Sequence, residues 1–223
     1  MMRTEHLPRF QHRAYHAFAA AACLCAALFS VLYAQDSLPG IGAIPLLPTV
    51  VIASVLGLPL LRYIRARFGK QTRSLRARTA FWLLPLGAFL ALPPIAIDLL
   101  HPFPRDTHVV LPRSLLFYPA IAMVAEVVFH LVPLAAAAAL SAQRRPRVLL
   151  VLPAVLTEPL FQAAFSGGLT IQAILVFGNV TLISAAQVWL FLRLGFAAMI
   201  GLRLAFYLFW HVIWGTLRLP LLF

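Results

Sequence analysis

Apolar residues run along this chain in long blocks, and the polar residues gather between the blocks instead of alternating with them. Continuous apolar runs of about 18 residues or more read as membrane-spanning helices, because each rises far enough to cross the hydrocarbon core. The blocks predict seven spans, at about Ala17 to Ala34, Ala43 to Leu61, Ala80 to Leu100, Leu115 to Leu140, Val148 to Phe165, Leu169 to Leu192, and from Gly195 until the pattern runs out at Pro220. The loop QDSLPGIG joins the first two into a hairpin, and Ser166-Gly167-Gly168 is a tight turn between the fifth and sixth. Pro45, Pro48 and Pro59 make the second span irregular, and the pair Pro93-Pro94 predicts a break in the third. The expected fold is all-α, a polytopic transmembrane bundle of about seven helices in one domain over residues 1–223, enclosing a polar cavity.

The fourth block breaks its own rule. In Met123 to Val132, MVAEVVFHLV, Glu126 and His130 interrupt an apolar run at a spacing that stacks both on one helix face. A charged group near the centre of a bilayer costs about 2.5 to 3.5 kcal/mol on insertion scales, so such residues face a cavity or a partner. Glu158 and Gln162 interrupt the fifth block, Gln172, Asn179 and Gln187 the sixth, and Arg203 and His211 the last. Asp98, close to the end of the third, is placed to reach interfacial water.

Composition sharpens this picture. With 62% hydrophobic and 11% charged residues the chain falls well outside the soluble class, where about 25% of residues are charged. A net charge of +12 would point to nucleic acid in a soluble protein, but here the basic residues cluster between spans, so they report topology and contact with anionic membrane lipid. No nucleic-acid partner is expected. The N-terminus, the run from Arg62 to Arg78, the group Arg144, Arg145 and Arg147, and Arg193 all fall on one side, which the bias of positive charge assigns to the cytoplasm. The N-terminal block is expected to remain as an uncleaved helix, and Cys23 and Cys25, two residues apart within it, suit neither a disulfide nor a metal site.

At 1.5 Å per residue, Glu158 lies about 16 Å along its helix from Arg147, and His130 and Glu126 about 21 and 27 Å from Arg144. Arg203 and His211 lie about 15 and 27 Å from Arg193. These levels are comparable, so two carboxylates, two imidazoles and one guanidinium are expected together. Two of the segments also echo each other: Ala125 to His130 (AEVVFH) and Thr157 to Gln162 (TEPLFQ) share the pattern small, Glu, two apolar, Phe, polar. The echo predicts two carboxylates facing each other across the bundle.

A carboxylate in a dry pocket beside His or Arg can act as a general base on water while the cationic group steadies an oxyanion. Glu126, His130, Glu158 and His211 are also an acceptable set for zinc or another divalent ion, although their spacing is not the HExxH signature. The amides Gln162, Asn179 and Gln187 are read chiefly as hydrogen bonds between helices.

Over roughly Phe117 to Gly215 the residues resemble the CAAX protease and bacteriocin-processing family of intramembrane proteases, whose motifs are EExxxR, FxxxH and HxxxN. AEVVFH is similar to the first, with Glu126 at the second glutamate, Phe129 at a frequent aromatic and His130 in place of Arg. LRLAFYLFWHVIWG is similar to the third, with His211 kept and Gly215 where Asn is usual. Glu158, 32 residues after Glu126 and 53 before His211, suits the second motif, with Glu for His and Ala154 for Phe. The resemblance implies a membrane-helix core at about 115–216 behind N-terminal helices at 17–100. It further implies an endopeptidase for membrane-associated peptides, with Glu126 and Glu158 activating water, His130 and His211 contacting oxyanion or metal, and Gln162, Arg203, Asn179 and Phe129 around them. Ala125, however, stands where the family has its first glutamate. Either Glu126 or Glu158 takes over as base, or TEPLFQ is itself the working first motif, or the chain is an inactive relative that binds peptide or lipid; a proton-coupled transporter is a third class.

Overall fold

The computed structural model describes residues 9–33, 45–68, 77–140, 148–164 and 170–223. All regular structure among them is helical. The helices are α1 (Arg9–Leu32), α2 (Leu46–Phe68), α3 (Thr79–Leu100), α4 (Ser114–Leu140), α5 (Val148–Ala164), α6 (Ile171–Leu194) and α7 (Phe196–Leu222). All but α5 are long and apolar enough to cross a membrane. The hairpin loop after α1, the Ser166 to Gly168 turn, Lys70, Arg73 and Arg76, and Arg144, Arg145 and Arg147 lie outside the described residues.

Two expectations are corrected. Helix α3 continues through Pro93 and Pro94 without a break, because the two missing donors fall in a helix held on one side by α7, and neighbouring helices in a membrane take up what a proline frees. The irregularity comes earlier, at Trp82, where a short turn from Ala77 to Phe81 meets the main helix. Helix α2 also runs beyond its expected end at Leu61 to Phe68, so Arg62, Arg65 and Arg67 are helical residues rather than loop. Pro48 sits in its first turn and Pro59 within it.

Helices α4 and α7 are the axis of the bundle, with 61% of their most apolar window buried against 28% for α1 and α2. One apolar cluster joins α1, α2, α4 and α7 through Tyr15, Leu61, Ile64, Met123, Val127 and Phe196. A second joins α3, α6 and α7 through Leu83, Leu90, Ile183, Leu190, Leu202 and Phe206. Lipid chains are as apolar as leucine, so helices in a membrane associate by close packing, and small residues permit it. Gly57 lets α2 approach so closely that a Cβ there would lie 2.3 Å from the Tyr15 hydroxyl and 2.8 Å from Val127. Gly87 does the same for α3, where a Cβ would lie 2.5 Å from that of Ala205. Thr170 caps α6 by accepting the Ala173 N–H at 3.0 Å, and Gly195, at φ 96°, ends the helix in the left-handed region that favours glycine. Cys23 and Cys25 are free thiols.

Candidate functional site

Each central helix widens at mid-length into π-helical turns, Glu126–Leu131 in α4 and Leu208–Trp214 in α7. The Val132 N–H reaches back five residues to the Val127 carbonyl. Such insertions are uncommon and concentrate at functional sites. Here the first carries Glu126 and His130 and the second carries His211 and Trp214.

Arg203 organises the interior, and all five of its N–H donors are engaged. Nε donates to Glu126 Oε1 at 2.6 Å; Nη1 to Glu158 Oε1 at 2.9 Å and Tyr207 Oη at 3.0 Å; Nη2 to Glu158 Oε2 at 2.7 Å and Gln187 Oε1 at 3.3 Å. The Gln187 amide donates to Glu126 Oε1 as well. Glu158 thus meets the guanidinium with both oxygens, the planar pairing that arginine suits best. Arg203 is 2% exposed, so it lies inside the bundle and does not snorkel toward an interface. The echo between AEVVFH and TEPLFQ is also spatial: its two glutamates share Arg203, and Phe129 packs on Phe161 with ring centroids 5.1 Å apart.

Three polar atoms remain beside this network. His130 Nδ1 stands 3.2 Å from Glu126 Oε2 but off the hydrogen-bond line, so both atoms, and His130 Nε2, are buried without a hydrogen-bond partner. Buried polar groups are nearly always paired, which makes these three exceptions informative.

His211 belongs elsewhere. It stacks on Tyr118 at 4.4 Å, and its Nδ1 lies 3.0 Å from Nδ1 of His108, so one ring donates and the other accepts. Its link to the carboxylates runs through Tyr207, whose ring lies 4.8 Å from His211 while its hydroxyl accepts from Arg203. Gly215 explains the position of His108: a Cβ there would stand 2.9 Å from the His108 Cβ, so the missing side chain makes room for this residue of the α3–α4 loop.

Compared with known proteins, the chain matches no family model, no curated protein and no solved structure.

Of the four candidate metal ligands, Glu126, His130 and Glu158 lie around Arg203 while His211 pairs with His108. Among the described residues no three His, Cys, Asp or Glu side chains come together as ligands, and the cation between Glu126 and Glu158 is the Arg203 guanidinium. Asn179 is buried, with its Oδ1 unpartnered, and has no hydrogen bond to the Arg203 network. Gln162 is half-buried on α5, one turn beyond Glu158.

Sequence reasoning missed Gln187 as a member of the site, and it missed a second network entirely. Asp98 is fully buried, not interfacial. It accepts from Arg218 Nε at 2.6 Å and Nη2 at 2.9 Å, from Trp214 Nε1 at 2.7 Å and from the Phe103 N–H at 2.8 Å. The remaining Arg218 donors go to the carbonyls of Phe103, Pro104 and Arg105, so one arginine ties α7 both to α3 and to the loop that carries His108. A lone Asp and a lone Arg near the ends of two apolar spans were the signal available in the sequence.

His108, 4% exposed, has its pKa pushed down to about 4 by burial first and then by the Arg218 charge, with Asp98 opposing. Unfolded, it titrates near 6.5. Between those values the unfolded chain binds a proton that the folded one refuses, so stability falls as pH drops from about 6.5 to about 4 and the penalty levels off below. The loss is expected to reach about 3 kcal/mol, and His108→Gln removes it; denaturant titrations of both chains in detergent at pH 7.5 and 4.5 check this.

Proposed function

We propose that this chain is an integral protein of a bacterial cytoplasmic membrane, N-terminus on the cytoplasmic side, and a divergent CAAX-protease-like endopeptidase that hydrolyses membrane-associated peptides with Glu126 and His130. The observation that carries the reading is a fully buried Glu–His pair at a π-helical turn, Glu126 Oε2 3.2 Å from His130 Nδ1, in which neither of these atoms nor His130 Nε2 makes a well-aligned hydrogen bond. Leaving such atoms unsatisfied costs about 1–3 kcal/mol each, a standing cost that a binding or catalytic role explains.

In this mechanism Arg203 and Gln187 fix Glu126 through Oε1 and leave Oε2 as the base. Oε2 takes a proton from water as the water oxygen adds to the scissile carbonyl. His130 donates to the resulting oxyanion. As the tetrahedral species collapses, the C–N bond breaks and the proton on Glu126 passes to the leaving amine, restoring the carboxylate. Glu158 is assigned here to holding Arg203 and not to water activation, since both of its oxygens are already engaged.

The full occupancy of Arg203 together with Ala125 favours a second reading, in which the same interior holds a peptide or lipid without cutting it. Cleavage of a library of membrane-anchored peptides by the purified protein separates the two. Endopeptidase action predicts that Glu126→Gln and His130→Gln each lower the rate at least about a hundredfold, the usual contribution of a general base, while the proteins remain folded. Wild-type protein that binds library peptides as well as Glu126→Gln does, and cuts none of them with or without zinc, would establish the binding protein instead.

A further inference from the structure

The strongest unassigned feature is the end of the bundle where α1 begins and α2 finishes. Arg62 on α2 directs Nη2 to His12 Nε2 on α1 at 2.6 Å. That contact makes Nε2 the acceptor and leaves the His12 proton on Nδ1. His16, one turn further along α1, holds its ring tilted by 48° against that of His12, with centroids 4.5 Å apart. Arg62 and His16 are exposed, and no carboxylate among the described residues pairs with Arg62, His12 or His16. Beneath this group Arg65 donates to the Gln11 amide oxygen and Gln11 donates to the Leu194 carbonyl at 3.5 Å, so the frame that holds α1, α2 and α6 together here is built.

The level of this group is fixed independently. From Leu46 to Arg62 the helix rises about 24 Å, close to the roughly 30 Å hydrocarbon thickness. At the same end Arg67 lies over the Tyr63 ring at 5.8 Å and Arg193 over the Trp189 ring at 5.4 Å. Tyr and Trp beside arginine mark the headgroup layer. One face of α2 below Arg62 is apolar and exposed, with Ile52, Val55 and Leu56 open to acyl chains. Among the described residues, Arg13, Arg62, Arg65, Arg67 and Arg193 all lie on the helix turns at this end.

We propose that Arg62, His12 and His16 form a binding site for the phosphate of an anionic phospholipid, whose acyl chains lie along α2. Three basic groups held together with no carboxylate of the described residues beside them are satisfied by a multivalent oxyanion, and the exposed apolar face selects one that carries a lipid tail. The proposal does not depend on catalysis at Glu126.

The test is retention of lipid by the full chain purified in a mild nonionic detergent and offered equal phosphatidylglycerol and phosphatidylcholine, read by native mass spectrometry. Wild type is expected to retain phosphatidylglycerol at least tenfold over phosphatidylcholine. The triple variant His12→Gln, His16→Gln, Arg62→Gln loses that preference, Arg62→Lys keeps most of it, and Arg105→Gln at the other end leaves it intact. A thermal midpoint without anionic lipid confirms that each variant is folded; where the triple variant is not, Arg62→Gln alone is expected to show a reduced preference. Millimolar inorganic phosphate should fail to displace the lipid. Preference retained in the folded variants, lost equally in Arg105→Gln, or abolished by free phosphate would each overturn the lipid site.

Discussion

Replacing Arg203 by Met lowers the stability of the folded protein by about 3–5 kcal/mol, the usual consequence of removing one partner from a buried ion pair. The loss is large because the guanidinium is the shared counter-ion of two carboxylates that water does not reach, Glu126 at 0% and Glu158 at 5% exposure. Its removal leaves two uncompensated charges and strands the Tyr207 hydroxyl and the Gln187 carbonyl. Against a typical net stability of about 5–15 kcal/mol, this is enough to make the chain fail to accumulate. Arg203→Lys recovers only part, since a point-like ammonium with three donors cannot reproduce a fork that serves five. Adding Glu126→Gln and Glu158→Gln to Arg203→Met removes the stranded charges and restores most of the stability. Reversible unfolding in mixed detergent micelles measures all four chains. An Arg203→Met protein within about 1 kcal/mol of wild type would place this network in water, where ion pairs contribute that little.

A comparable loss follows Asp98→Ala, about 3–5 kcal/mol by the same reasoning. Asp98 receives four hydrogen bonds, and without it Arg218, itself fully buried, keeps its positive charge with only carbonyl partners. The effect is also local in a way that Arg203→Met is not. Arg218 reads the backbone at Phe103, Pro104 and Arg105, so loss of Asp98 frees the loop that places His108 against His211. Hydrogen exchange and trypsin cleavage after Arg105 are expected to rise in Asp98→Ala while the amides of α4 remain protected. Asp98→Asn, which keeps the shape but loses the charge, falls between the two. Unchanged protection at residues 101–113 in the folded variant would show that the loop is held by other contacts, such as the Tyr118 hydroxyl on the Val109 N–H and Gln172 on the His101 carbonyl.

The two networks were unequally legible. Glu126, His130, Glu158 and Arg203 stood out because each interrupts a long apolar block, and the rise per residue brings them to similar depth. Asp98 and Arg218 lie near the ends of their spans, where a charge finds water cheaply in general, so a position along the helix did not betray a partner on another. Gln187 was visible as a residue but not as a member of the site, since an amide in a membrane helix is more often a bond between helices, which it also is.

The chain by itself determined which segments form long apolar helices, six of them long enough to cross a membrane, and where along each helix its polar groups fall, because both follow from one-dimensional quantities, the length of an apolar block and 1.5 Å of rise per residue. Which groups meet at a given depth was decided only by the tertiary structure, because that depends on the rotation of each helix about its axis. The eight residues from Arg203 to His211 would set the two about 80° apart around a regular α-helix, and the π-helical turns from Leu208 to Trp214 change that angle in a way the sequence pattern does not show. Arg203 faces the two glutamates, while His211 meets a histidine carried in from a distant loop. Depth is additive along a sequence. Azimuth is set by packing against neighbours, at glycines such as Gly87 and Gly215 where another element comes close enough to fix it.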